Sequence, residues 1–209
     1  MGFNEIISKN YLSLYWGGAM IGRFLGAISL NQSLSQGKKA IYMLGAAAAV
    51  FLVIFSIVDL SFAQISFFLA FIVLNFIAFF IGKAAPARTL SIFAAVNVAL
   101  LISAMVNHGE LAMYSILGIG IFNSIMFSNI YTLAISGLGK YTSQGSSLVV
   151  MAILGGAIVP IFQGYLADQV GVQHSFIIPV FCYLVILIFG AYCSKYLGHV
   201  ENTEAKSGH

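Results

Sequence analysis

Residues 64–83 read QISFFLAFIVLNFIAFFIGK, and they follow closely on AIYMLGAAAAVFLVIFSIVDL at 40–60. Each run is about 20 residues of nearly unbroken hydrocarbon, the length of helix that crosses a bilayer core of ~30 Å. Neither shows the apolar–polar alternation of a barrel strand, whose segments run to about ten residues. Working outward, further runs of the same kind occupy 11–30, 88–107, 110–136, 147–168 and 174–197. The sequence therefore describes an all-α, polytopic membrane helical bundle of about seven transmembrane helices. The bundle takes up 1–200 and leaves a polar tail at 201–209.

Composition leads to the same place. Of 209 residues, 60% are hydrophobic and 7% charged, and mean hydropathy is +0.99. A soluble domain carries roughly 25% charged residues. Disorder, a disulfide scaffold and an ordinary soluble enzyme are excluded. The basic residues are scattered, so the expected surroundings are a lipid bilayer and no nucleic acid. Met1 to Asn10 has no small-residue cleavage site and does not read as a signal peptide. Cys182 and Cys193 lie roughly 16 Å apart along a helix, too far for a disulfide.

Charge orients the spans. Lys38, Lys39, Lys83, Arg88, Lys140, Lys195 and Lys206 fall on one side; Asp59, Glu110 and Asp168 fall on the other, with Lys9 the one basic residue there. Lysine and arginine mark the cytoplasmic side, so the expected N-terminus is outside and the C-terminus cytoplasmic.

Polar and small residues mark the candidate faces. Gly18, Gly22 and Gly26 repeat every four residues, a stripe that admits close helix packing. Trp16 and Arg23, seven apart, align on a different face of the same span. Arg23 either snorkels or pairs for structural reasons, or takes part in substrate or gate chemistry. In the fifth span Asn123, Ser124, Ser128, Tyr131 and Thr132 cover about half the circumference, and Asn129 points elsewhere. Unpartnered amides and hydroxyls are costly in hydrocarbon, so this face meets another helix or lines a cavity suited to a hydroxyl-rich ligand. Asn123 is the leading candidate for a ligand contact. In the sixth span Ala152, Gly156, Pro160 and Gly164 form a second close-packing stripe, with a kink at Pro160 and Gln163 flanking it.

No carboxylate lies deep in any span, and no histidine stands where a proton relay needs one. There is no paired-histidine metal site, no nucleophile beside a base and no phosphate loop. Catalytic residues, a metal and a cofactor are accordingly not expected, and the chain does not read as an enzyme.

Four stretches resemble the fucose–galactose–proton symporter family of the major facilitator superfamily, above all its bacterial glucose/galactose branch. They are YLSLYWGGAMIGRFLG (11–26), NSIMF (123–127), LGKYTSQGSSLVVMAILGGAIVPIFQGYLAD (138–168) and HSFIIP (174–179). The resemblance implies the C-terminal part of a twelve-helix sugar permease working by alternating access, with span 11–30 as the eighth helix. It implies a hexose or deoxyhexose substrate, a proton as coupling ion, a bacterial inner membrane and a separate N-terminal half as partner. On that reading Trp16, Arg23, Asn123, Ser124 and Gln163 line the sugar cavity. The chain departs from the family in three ways. Nothing corresponds to the first seven helices, where the coupling carboxylates lie. Three spans stand where the family has one, so 40–60 with 64–83, or 64–83 with 88–107, is an extra pair. Ser128-Asn129 replaces the family's Pro-Thr, which removes a kink. The chain is thus expected to be incomplete as a transporter, a truncated or split-gene part. The alternative is a non-transporting membrane relic or assembly partner that packs through its glycine stripes.

Overall fold

The computed structural model describes residues 5–31, 34–57, 62–82 and 85–207. Asp59 and Lys83 of the charge pattern, and the last two residues of the tail, lie outside them. The described backbone is helical almost throughout, in the order α1 (Glu5–Leu30), α2 (Gln36–Ile57), α3 (Phe62–Gly82), α4 (Pro86–Val106), α5 (Glu110–Asn123), α6 (Met126–Ile135), α7 (Thr142–Met151), α8 (Gly155–Val170), α9 (Val172–Ser175) and α10 (Ile177–Ser207). Among the described residues six helical segments are long and apolar enough to cross a membrane: Gly37–Ser56, Ile65–Gly82, Pro86–Val106, Glu110–Ile135, Gly139–Val170 and Val172–Tyr196. The protein is an all-α, multi-pass membrane bundle. α1, with 26 residues, is also long enough, although it falls below the hydropathy of those six.

Local chemistry sets the helix ends. Pro86 opens α4 at its first turn, where a missing N–H costs nothing. Gly109 (φ 67°) and Gly171 (φ 89°) turn the chain at the starts of α5 and α9 in a backbone region that disfavours a Cβ. Lys39, buried near the start of α2, donates from Nζ to the Ser29 carbonyl at 2.8 Å, placing a cation at the C-terminal end of α1.

α4 is the hub, packed against α3, α5, α6 and α10. Leu90, Phe93, Ala94 and Asn97 on it are wholly buried. Phe93 meets Phe79 of α3 edge-on with centroids 4.9 Å apart, and Phe122 of α5 at 5.3 Å. Lipid competes with apolar side chains for contact, so close approach and interlocking hold such helices together. Gly190 of α10 does this against α4, where a Cβ would lie 2.7 Å from Ser91 Oγ. α2 leans chiefly on α1.

The structure keeps Glu110–Ile135 as one span with a local break, and it corrects the reading of the sixth span. Span 110–136 is interrupted at Ser124–Ile125, between α5 and α6. The sixth span departs from close packing: α7 and α8 make their main contacts with α6 and α9 alone, and Gly155, Gly156 and Gly164 meet nothing within 4 Å. A stripe of small residues packs only where another helix backbone arrives, and none does. Pro160 sits inside α8, whereas the irregular turn falls earlier, at Ala152–Leu154.

Candidate functional site

The glycines of α1 build the candidate surface. Cβ atoms at Gly18, Gly22 and Gly26 would collide with Ile121, with Ser124 and the Ile121 carbonyl, and with Ile125, respectively. From the other side, Gly120 admits the backbone and ring of Tyr15. Alternating glycines thus draw α1 against the junction of α5 and α6. The stripe is consumed inside the chain and offers no free face to a partner.

The junction is a true interruption. Ser124 Oγ donates to the Ile121 carbonyl at 2.7 Å, taking the acceptor that a regular helix would give to the amide of Ile125. Ile125 stands at φ −109°, ψ 0°, outside the helical region, and the helix restarts at Met126. A serine therefore bends this span without the family's proline, two to four residues earlier. Because the freed carbonyl keeps a partner, the break is tolerable inside a bilayer.

Close approach at Gly22 leaves its chain neighbour Arg23 exposed on α1, and Asn123 is exposed beside Ser124 at the end of α5. Trp16 is 60% exposed on the same stripe of α1, its ring edge-on to Tyr15 at 5.7 Å. Arg23 and Asn123 are exposed, and neither has a hydrogen bond or ion pair among the described residues. Below the break Phe127, Ser128 and Thr132 continue the open face, Thr132 Oγ1 bonding back to the Ser128 carbonyl at 2.9 Å. Tyr131 instead donates to Ser146 Oγ at 3.0 Å and ties α6 to α7. The structure leaves Trp16 and Arg23 exposed on α1 and Asn123 exposed at the end of α5, and of the four it brings Ser124 against α1, at Gly22. It does not bring Gln163 there, because α8 stands off the bundle.

A second polar feature escaped the sequence reading. At the end where α4 meets α5 and α9, Gln173 Nε2 donates to the carbonyls of Ala104, at 2.7 Å, and Asn107. With its nitrogen so committed, Gln173 Oε1 accepts from His108 Nδ1 at 3.1 Å, which sets the imidazole as the Nδ1–H tautomer or the cation. This knot is the attachment of α9, and through it α8, to the bundle. A cavity of about 380 Å³ beside it is lined mostly by apolar residues, including Ala104, Met113, Ile116 and Phe176, and its one polar side chain, Gln173, is already bonded within the protein. Among the described residues no cluster of His, Cys, Asp or Glu could hold a metal.

Fold and surface together define a polytopic helical membrane protein with one open aromatic and polar face beside a broken span. Comparison with known proteins supplies the family. The chain is 34% identical over 194 residues to the glucose/galactose transporter of Brucella abortus, covering 93% of this chain and 35% of that one. It is 29% identical over 187 residues to a putative glucose/galactose transporter of Helicobacter pylori, 87% of this chain and 33% of the other. Against the L-fucose–proton symporter of Escherichia coli, identity is 33% over 116 residues, 55% of this chain and 26% of the symporter. The chain is thus related, over part of their length, to proteins named as glucose/galactose transporters and an L-fucose–proton symporter. It spans about a third of the length of these curated relatives, as a C-terminal part of such a protein would. No family model matches it, and no solved structure does.

Proposed function

We propose that the chain forms the C-terminal wall of the sugar cavity in a proton-coupled hexose or deoxyhexose symporter that works by alternating access. What supports this reading is the set of residues next to the α1–α5 contact, the exposed Trp16, Arg23 and Asn123 with Ser124, on a chain related to sugar transporters. An indole offers a stacking face to a sugar ring, and an amide and a guanidinium offer hydrogen bonds to its hydroxyls. Gln163 joins them when α8 closes on the cavity. The facing wall and the proton-carrying carboxylate come from an N-terminal half, since no span of this chain holds a deep carboxylate.

In this reading the chain sits in the bacterial inner membrane with its N-terminus outside and its C-terminus cytoplasmic. Single cysteines placed at Glu110 and Lys140 would then react with an impermeant maleimide from the outside and the inside of the cell, respectively. The functional test is uptake of labelled galactose, glucose and fucose by cells lacking their own transporters, which carry this chain together with the N-terminal half of a relative. Uptake that disappears in Asn123→Ala supports the proposal. Undiminished uptake in Asn123→Ala overturns the assigned site, and proton-coupled uptake by liposomes holding this chain alone overturns the division of labour.

A further inference from the structure

Three asparagines lie in the interior of the bundle on three different helices. Asn75 of α3 and Asn97 of α4 are fully buried, and Asn129 of α6 is 2% exposed. Both polar atoms of Asn75, Oδ1 of Asn97 and Nδ2 of Asn129 lack any hydrogen-bond partner within the protein. Buried amides are seldom left so.

Packing sets two of them level and the third about one turn away. α3 and α4 run antiparallel, with Gly82 against Thr89 and Phe79 against Phe93, while Phe71 and Leu100 both close on Gly118. One turn along from Phe79 is Asn75, and one turn along from Phe93 is Asn97, so the two amides stand level across the interface. Asn97 Nδ2 reaches Met126 Sδ at 3.3 Å. Asn129 lies one turn beyond Met126 on the same side of α6.

We propose that Asn75, Asn97 and Asn129 form an internal hydration site that holds roughly one or two water molecules in the middle of the bundle. The unpartnered atoms are two donors and two acceptors, the complement of what water offers. A metal cation is the wrong ligand: two of the four groups present N–H rather than oxygen, and no carboxylate balances a charge in low dielectric. Direct amide pairing is also the wrong solution, because Asn75 and Asn97 are level without bonding, and Asn97 has spent its nitrogen on a weak sulfur acceptor. The site lies directly behind the break at Ser124–Ile125. Water there would join α3, α4 and α6 through bonds that exchange partners as α6 shifts.

The test is X-ray hydroxyl-radical footprinting of the full chain in lipid nanodiscs, read by mass spectrometry at methionine. A buried side chain is oxidised when ordered water sits beside it. Met126 and Met43 are equally buried, at 2%, and Met43 lies nearer the end of its span (Gly37–Ser56) than Met126 does in Glu110–Ile135, which makes it a severe control. The expected result is oxidation of Met126 about tenfold faster than Met43, falling to the Met43 rate in Asn75→Leu/Asn97→Leu. Two outcomes overturn the proposal: Met126 oxidised no faster than Met43 in the unaltered chain, or faster oxidation that survives the double substitution. The first comparison needs no variant, so a misfolded variant does not protect the idea.

Discussion

Gly22 on α1 and Gly164 on α8 belong to the same kind of four-residue stripe and meet opposite fates. Around Gly22 the backbone and side chains of α5 close in until no Cβ would fit, whereas around Gly164 there is open space. The sequence patterns do not differ in kind; what differs is whether a second helix of the same chain arrives at the right depth and angle. A small-residue stripe is permission to pack, and the rest of the fold decides whether it is used. Here the used stripe sets Gly22 against Ser124, and their chain neighbours Arg23 and Asn123 stay exposed.

The comparison can be broken most directly at the two glycines. Gly22→Leu drives a side chain into the Ile121 carbonyl and Ser124, and should destabilise the bundle by ~3 kcal/mol or more, seen as a lower unfolding temperature in detergent. Gly164→Leu should change stability by less than ~0.5 kcal/mol. Equal losses in the two would show that α8 is packed as tightly as α1.

The next effect concerns the surface that the glycines make. Asn123→Ala in the assembled transporter should weaken sugar binding by ~1.5 kcal/mol, about tenfold, in a direct binding titration, with unfolding unchanged. Gln163→Ala should weaken it less and only in states where α8 has closed, so the ratio of the two effects reports that closure.

Smaller effects sharpen the contrast from the other side. Gln173→Ala removes the donors that serve the end of α4 and should cost ~1 kcal/mol locally. Hydrogen exchange should rise across 139–176 and stay unchanged in α1 and α5, since the knot joins the outlying segment to the hub. Lys39→Met should cost ~0.5–1 kcal/mol, read as faster exchange at the end of α1, because it removes the cation from that helix terminus. Substitution at the exposed Lys38 should cost nothing measurable.

Much of the fold was legible in the residues. Span lengths follow from the bilayer thickness, and helical structure follows because a chain in lipid must bond its own backbone. Of the candidate site, Trp16, Arg23, Asn123 and Ser124 could be picked out as polar or aromatic residues in apolar runs. That Ser124 meets α1 could not, because it depends on which helix the glycines of α1 face. Asn75 and Asn97 carried the same signal, an amide in mid-span, yet stood alone in their own helices and formed a group only across an interface. Gln163 was read as part of the cavity from its place beside a stripe, and the stripe turned out to have no partner within the chain.

Sequence alone determined that this protein is helical, membrane-embedded and related to sugar–proton symporters, because hydropathy, periodicity and motif spacing are properties of single segments. Tertiary structure alone decided three things: that α1 closes on α5, that Ser124 rather than a proline interrupts the fifth span, and that Asn75 and Asn97 stand level with Asn129 a turn away. Each depends on two or more helices approaching to van der Waals contact. That approach is set by steric fit across interfaces, which no single segment encodes.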